Sequence, residues 1–478
     1  LLYYNFYIGV LFFIGFLYMV INNWKTTNIR RKEWTNYIQN LSLDIDETTK
    51  KAVMNLPIPL CILEFDGSIT WYNGKFNTMI GEDDLLGVNI DDLIKNLNLR
   101  KVLNENKESI SRRAGQELHV KYVLDLRDFP GQPVEKVLVH DYEQIVSDPE
   151  VDIVVEVMGG VEPAYTFVKK ALLAGKNVCT SNKALVAKHG RELMDIAKEK
   201  SINFLFEASC GGGIPIIRVI NSSLTGDEID EVTGILNGTT NYMLYKMSTE
   251  GCEFDTVLKE AQQKGYAEAD VEGYDACRKI AILSSLAYER YFDFEDIYTE
   301  GITKITPEDM EYAAKLGRTI KLLGTSRRLA DGTCYAMVAP FMLGQNSPLY
   351  SVNDVFNAVF VHGNMLGDAM FYGSGAGKLP TASAVVGDIV DAAKHLHVNI
   401  VTNWNSTPAV LKPLDEVTGK FFVRIKKEAA EEAKKVFGDV EIISLGQLPQ
   451  ECAFITDEMT QGAFEEKLAQ IGDQVLAK

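Results

Sequence analysis

The sequence predicts an α/β protein: a doubly wound, parallel-sheet domain without its opening unit, joined to an α+β domain and preceded by an apolar helix and a small α+β segment. Three observations carry this. From about residue 101 apolar runs alternate with helix-period segments, the pattern of a parallel sheet with crossover helices. Residues 1–21 contain no charged side chain. The 478 residues are 46% hydrophobic, 10% aromatic and 24% charged, ordinary for globular protein and enough for about three domains. Lys+Arg 48 against Asp+Glu 66 leave a net charge of −18, which argues against nucleic acid as a partner, since that needs a basic footprint. The seven cysteines include no CxxC pair, so reduced thiols in a cytoplasmic setting are expected, with neither a zinc site nor a disulfide framework.

The elements follow in order. Leu1 to Ile21 has only Asn5 as a strongly polar residue, and as a helix at about 1.5 Å per residue it spans roughly 30 Å, the thickness of a bilayer core. Lys25, Arg30, Arg31 and Lys32 follow closely, which places the rest of the chain on the cytoplasmic side and makes the membrane a partner through residues 1–21. A secretory signal peptide would need a basic start and a small-residue cleavage site. Neither is present. A polar connector spans 22–47, and an α+β segment spans 48–100, where two apolar runs flank Asp66-Gly67, a dipeptide suited to a tight hairpin turn.

Residues 101–185 read as a truncated Rossmann-type, NAD(P)-binding domain. KVLNENKESISRRAG (101–115) suits the back of a helix; HVKYVLDL (119–126), VDIVVEVMGG (151–160) and KNVCTS (176–181) read as strands, and EPAYTFVKKALLAG (162–175) as a helix ending at Gly175. Such a domain normally opens with a strand and a G-x-G-x-x-G turn whose backbone N–H groups hold a pyrophosphate. No such loop precedes residue 101. Asp125, ending the second strand, suits a ribose 2′-OH, while Arg127 suits a 2′-phosphate.

Residues 186–400 form the expected α+β catalytic domain, whose end returns to the nucleotide domain. EASCGGGIP reads as strand, glycine turn and a helix opened by Pro215, and NGTTNY as a strand end entering a helix. In GYDACRKIAIL, Asp275 and Lys279 lie at i and i+4 on one helix face. Spacing alone favours a surface ion pair of little energetic value. Lys183, after a strand end in TSNK, is by itself a solvated lysine at a helix start. Residues 401–478 read as a small αβ tail: GKFFVRI, KKEAAEEAKKVFG, VEIISLG, CAFITDEM and QGAFEEKLAQI give strand, helix, strand, strand, helix.

Two resemblances follow. PIPLCILEFDGSITWYNGKF and GVNIDDLI resemble a PAS sensory domain, and with residues 1–21 they look like the front end of membrane-anchored cyclic-dinucleotide phosphodiesterases of Gram-positive bacteria. The Asp-His-His metal triplet of those enzymes is absent, because the six histidines, at 119, 140, 189, 362, 395 and 397, are never adjacent. A passive spacer is the alternative for 48–98. EVMGG, TSNKALVAKHG, FEASCGGGIPII, GILNGTTNYML, GYAEAD, GYDACRKIAIL and YGSGAGKLPTASAVVGD, in that order, resemble the bacterial homoserine dehydrogenases from about residue 101 to 400 and beyond.

The second resemblance implies interconversion of L-aspartate 4-semialdehyde and L-homoserine with NADP or NAD, a step of threonine, methionine and isoleucine biosynthesis. It makes Lys279 the proton donor and acceptor with Asp275 as partner, Lys183 a second catalytic or cofactor lysine, and Glu268 the acid that binds the substrate amino group beside Asp275. Gly265, Gly375 and Gly377 match cofactor contacts. Main-chain oxygens of Glu207, Cys210, Gly212 and Ile214 match a monovalent, sodium-like cation site. It also implies a homodimer and, for residues 401–478, an ACT-like regulatory tail. Aldehyde reduction needs a proton donor and positive charge at the oxygen, which these lysines would supply. The chain departs from the family pattern at the missing glycine loop and in the short stretch AEADVEGYD (267–275). The alternative is a membrane-anchored PAS module fused to a catalytically impaired dehydrogenase relic.

Overall fold

The β-branched run Ile153–Val155 and the run Asn177–Thr180 form neighbouring parallel strands, the second buried along its whole length. The computed structural model describes residues 61–63, 69–72, 99, 102–131, 133–263, 271–402 and 404–478, in two units, Leu1–Asn89 and Ile90–Lys478. In the first unit, β1 (Cys61–Leu63) and β2 (Ile69–Tyr72) pair antiparallel on either side of Asp66-Gly67. The expected membrane helix (1–21), the connector (22–47), the turn itself and the remainder of the PAS-like stretch lie outside the described residues. Among the described residues no helix is long and apolar enough to cross a membrane.

The second unit begins with helix α1 (Lys107–Ala114), closed by Gly115 at φ +77°. Two parallel ladders follow. The first pairs β3 (Val123–Leu124) with β4 (Leu138–Val139) and leads into α2 (Tyr142–Ser147). The second has the order β5-β6-β7, from Ile153–Glu156, Asn177–Thr180 and Phe204–Leu205. Its crossovers are α3 (Ala164–Leu173), which buries Ala164, Val168, Ala171 and Leu172 at helical spacing, and α4 (Lys183–Glu199). In a doubly wound half-sheet of order 3-2-1-4-5-6 the first strand stands between the second and fourth. That position falls between β3 and β5, and among the described residues no strand occupies it. Of the strand expected over 119–126 only Val123 and Leu124 join a ladder. Its partner β4 is just as short, and the other neighbour is not among the described residues.

The catalytic domain is a sheet of order β13-β12-β8-β10-β11-β9, from Gly367–Ser374, Phe356–Gly363, Ile229–Ile235, Arg318–Arg328, Cys334–Gly344 and Tyr298–Thr299. β8 runs antiparallel to both β10 and β12. One face is covered by α5 (Gly238–Glu250) and α7 (Tyr274–Ala287), with α6 (Phe254–Gln263) packed on α5. α7 is buried from Asp275 to Leu286 apart from Arg278, so an i, i+4 pair that spacing assigns to the surface lies in the interior. α8 (Pro307–Lys315) packs on β10.

After β13 the chain returns through α9 (Lys378–Lys394). One side of this helix, Val385, Ile389 and Ala392, packs on Cys179 and Ala208; another, Val386, Val390 and Ala393, packs on Ile110 and Ala114 of α1. In the tail β14 (Thr418–Gly419) pairs antiparallel with β17 (Met459–Thr460), and a larger sheet centres on β15 (Phe422–Lys426), flanked by β16 (Glu451–Ile455) and β18 (Val475–Ala477) and backed by α10 (Ala430–Phe437) and α11 (Gln461–Ile471). VEIISLG does not form the expected strand. Ile443 makes a single bridge to Ala453, and the place beside β15 is taken by the C-terminal Val475–Ala477, which the sequence pattern did not suggest.

Candidate active site between the strand ends and helix α7

Asp275 and Lys279 are the centre of the site. Their i, i+4 spacing on α7 brings Lys279 Nζ to 2.7 Å from Asp275 Oδ2, and the same ammonium donates to the carbonyl of Leu236 at 2.7 Å. Leu236 directly follows β8, and the next residue, Asn237, caps α5 by accepting from Thr240 N while its Nδ2 donates to Asp275 Oδ2 at 3.0 Å. From the nucleotide side, Lys183 at the first turn of α4 places its Nζ against Asp275 Oδ1. Asp275 is thus wedged between two ammonium groups supplied by two domains. Burial works to raise its pKa, but Lys279 and Lys183 outweigh it and hold the carboxyl well below the usual carboxylate range. Asp275 and Lys279 are 4% and 7% exposed, whereas the Lys183 side chain is 41% exposed, so one ammonium is fixed in the interior and the other is reached by solvent.

The loops beside this centre require glycine. A Cβ on Gly212 would lie 2.4 Å from Gly375 O, and one on Gly375 would lie 2.0 Å from Asn357 Cγ. Gly213 N donates to Ser374 O at 3.0 Å. The two glycine stretches, distant in sequence, therefore pack backbone to backbone, with Gly377 leading directly into α9. Gly265 and Glu268 lie outside the described residues.

The stretch Glu207–Ile214 is buried except at Gly213. The Glu207 carboxylate accepts from Ile217 N at 2.9 Å and Arg218 N at 2.7 Å, so its side chain caps the short helical turn that follows Pro215. Glu207 N donates to Asp388 Oδ2, and Arg218 pairs with both Asp388 and Asp391. Burial, with Glu207 close by, pushes Asp388 up to about 8 against the pull of Arg218. Burial pushes the Cys210 thiol up to about 12, which leaves it a neutral thiol and a poor ligand. Among the described residues no group of three His, Cys, Asp or Glu could hold a metal ion, so carbonyl oxygens are the donors this loop can offer. At the end of β3, Arg127 grips Asp125 through two bonds of 3.0 and 2.9 Å and keeps that carboxyl low.

Sequence reasoning brought out Lys279, Asp275 and Lys183 but treated NGTTNY as structural and passed over Glu156, Asn182 and Asp388. Asn237 was legible as a helix cap; its bond to Asp275 was not, because nothing local relates residues on different elements.

Two family models match the chain: one described as "Homoserine dehydrogenase, NAD binding domain" over residues 92–207 and one described as "Homoserine dehydrogenase" over residues 215–390. The homoserine dehydrogenase of Bacillus subtilis (strain 168) is 37% identical over 401 residues, covering 78% of this chain and 91% of that protein. The crystal structure of a homoserine dehydrogenase from Thiobacillus denitrificans superposes with a TM-score of 0.73 at 36% identity, covering 80% of this chain and 93% of that one. A hyperthermophilic archaeal homoserine dehydrogenase in complex with NADPH superposes with a TM-score of 0.52 at 29% identity, covering 62% of this chain and 93% of that one.

Proposed function

The chain belongs to the homoserine dehydrogenase family, and from that footing we propose how its residues carry the NAD(P)-linked interconversion of L-homoserine and L-aspartate 4-semialdehyde. The observation that carries the reading is Asp275 held between Lys279 and Lys183 where the two domains meet. Lys279, anchored by Asp275 and the Leu236 carbonyl, gives a proton to the aldehyde oxygen as the semialdehyde is reduced, and in its neutral amine form takes the hydroxyl proton when homoserine is oxidised. Lys183 adds positive charge on the cofactor side, where a developing alkoxide is stabilised. Asp275 keeps both ammonium groups aimed, and Glu268 together with Asp275 binds the substrate amino group.

The bound nicotinamide supplies and accepts the hydride. The ends of β5 and β6 suit that ring: Val157 and Met158 are 36% and 37% exposed there, in a loop whose Gly160 carbonyl accepts from the side chain of Asn182, the residue before Lys183. Gly265, Gly375 and Gly377 would let backbone approach the nucleotide. Arg127 is the exposed member of its pair with Asp125, which favours NADP over NAD. The carbonyls of Glu207, Cys210, Gly212 and Ile214 would hold a sodium-like cation, and pairing of catalytic sheets would give a homodimer. Residues 1–21 would tether the chain to the membrane, ahead of the PAS-like segment, with the catalytic domains on the cytoplasmic side. The domain limits proposed are 48–100, 101–185, 186–400 and 401–478.

The experiment is a titration of the full chain with NADPH and NADH by fluorescence, then homoserine with NADP⁺ or NAD⁺ followed by absorbance of the reduced product. Binding with turnover is expected, with Lys279→Ala lowering kcat by at least about 10²-fold. No binding at millimolar cofactor by folded protein overturns the reading and leaves the dehydrogenase relic behind a membrane segment.

A further inference from the structure

Glu156 is a buried carboxylate that the reaction above does not use. It ends β5, is 4% exposed, and among the described residues its hydrogen-bond partners are neutral. Its two oxygens are engaged separately. Oε1 accepts from the backbone N–H of Met158 at 2.6 Å, and Oε2 accepts from the hydroxyl of Thr180, at the end of β6, at 2.5 Å. The Thr180 oxygen in turn accepts from Asn182 N at 2.9 Å, so its single proton is committed to Glu156. Asn182 closes the circuit: its Nδ2 donates to Gly160 O at 2.6 Å, and its Oδ1 accepts from Leu185 N as the N-cap of α4. Thr180 and Asn182 are 0% and 6% exposed. The loops that leave β5 and β6 are therefore stapled to one another, and the staple ends on the residue immediately before Lys183.

We propose that Glu156 is a positioning residue: through Thr180 and Asn182 it sets the start of α4, and so delivers the Lys183 ammonium to Asp275 while holding the Val157–Gly160 loop against which the cofactor ring lies. This rests on the role given above to Lys183. The chemistry requires a carboxylate. The groups facing Glu156, the Met158 N–H, the Thr180 hydroxyl and the Asn182 side-chain amide, are all donors, so both carboxylate oxygens must accept, and an amide of the same shape offers one acceptor and one donor. Glu156→Gln satisfies either Met158 N or Thr180 and leaves two donors opposed at the other contact. Thr180→Val keeps the volume and removes the relay; Thr180→Ser keeps the hydroxyl.

The test measures kcat, the homoserine KM and Tm for these variants in the full chain, each with and without Lys183→Met. A displacement of a reacting group by about an ångström costs up to about 10²-fold in rate, so Glu156→Gln and Thr180→Val are expected to lower kcat about 10- to 100-fold with the homoserine KM changed less than about threefold. Thr180→Ser should restore most of the rate. On the Lys183→Met background the further loss from Glu156→Gln should shrink below about threefold, since residues that act through one another are not additive. Equal losses on both backgrounds, or losses that follow Tm across the series, overturn the assignment and leave Glu156 a staple of the sheet. Unchanged kcat in Lys183→Met alone removes Lys183 from the reaction, and with it the role given to Glu156; that outcome is distinct from a Lys183-dependent enzyme in which Glu156 adds independently. Should Glu156→Gln fail to fold, the Thr180 pair decides the question alone.

Discussion

At the scale of the residue, two of the buried lysines among the described residues stand in opposite circumstances. Lys279 is buried beside a carboxylate, whereas Lys321, 1% exposed on β10, donates to three neutral oxygens: Asn241 Oδ1 at 3.1 Å, Val352 O at 2.6 Å and Asn353 Oδ1 at 3.0 Å. Desolvation pulls the Lys321 ammonium down to about 8. An unfolded lysine keeps its proton to about 10.4, so between about pH 8 and 10.4 the unfolded chain binds more protons than the folded one at this site. Stability from this residue therefore rises with pH across that window and is level below it. The urea midpoint of the wild type, compared with that of Lys321→Met at each pH, should climb between pH 8 and 10; a constant difference would show that the three oxygens compensate the buried charge fully. Asp275 has the same sign in a more acidic window: its folded pKa lies below the ordinary carboxylate value, so its stabilisation is fully present above the unfolded pKa and is lost as the pH falls from there through the folded value.

At the scale of the element, short pieces are held by side chains more than by ladders. The tail meets the catalytic domain through Arg424 of β15, which is 6% exposed. Its Nη1 donates to Thr306 Oγ1 at 2.7 Å and Asp309 Oδ1 at 2.8 Å, and its Nη2 reaches Glu451 at 3.3 Å. Thr306 and Asp309 are also the capping box of α8, the helix that leads into β10. Arg424 therefore binds the tail to a helix start through the two residues that cap it. Breaking a buried pair by removing one partner destabilises by about 3–5 kcal/mol because the other charge is left behind. Arg424→Met should accordingly speed proteolytic release of residues after about 412 and lower the urea midpoint; if Arg424→Met with Asp309→Asn is no more stable than Arg424→Met alone, the stranded carboxylate is not the cause.

At the scale of the whole molecule, the described residues of the nucleotide domain form two ladders where a doubly wound sheet has one. Val123–Leu124 and Leu138–Val139 share a two-residue ladder, while β6 is paired on both sides and fully buried. Few backbone bonds and partial exposure define segments that open at low free energy. Hydrogen exchange at residues 123–124 and 138–139 should be at least about 10²-fold faster than at 177–180; equal protection would mean that the gap between β3 and β5 is filled in solution. The elements most firmly marked in the sequence were those with local signals. EPAYTFVKKALLAG showed its apolar period and closing glycine, GYDACRKIAIL placed Asp275 and Lys279 one turn apart, and the ordered blocks from EVMGG to YGSGAGKLPTASAVVGD identified the family. Each depends on neighbours in the chain, and periodicity, caps and motif order are properties of neighbours. Tertiary structure alone decided that the Asp275–Lys279 pair is interior, that Lys183 from a different domain completes it, that the Gly375 backbone leaves no room for a side chain at Gly212, and that Val475–Ala477 forms the strand beside β15 while VEIISLG makes only a bridge to β16. These outcomes turn on burial and on contacts between residues far apart in sequence, and the desolvation that changes a surface ion pair into a buried charged centre exists only once the domains have packed.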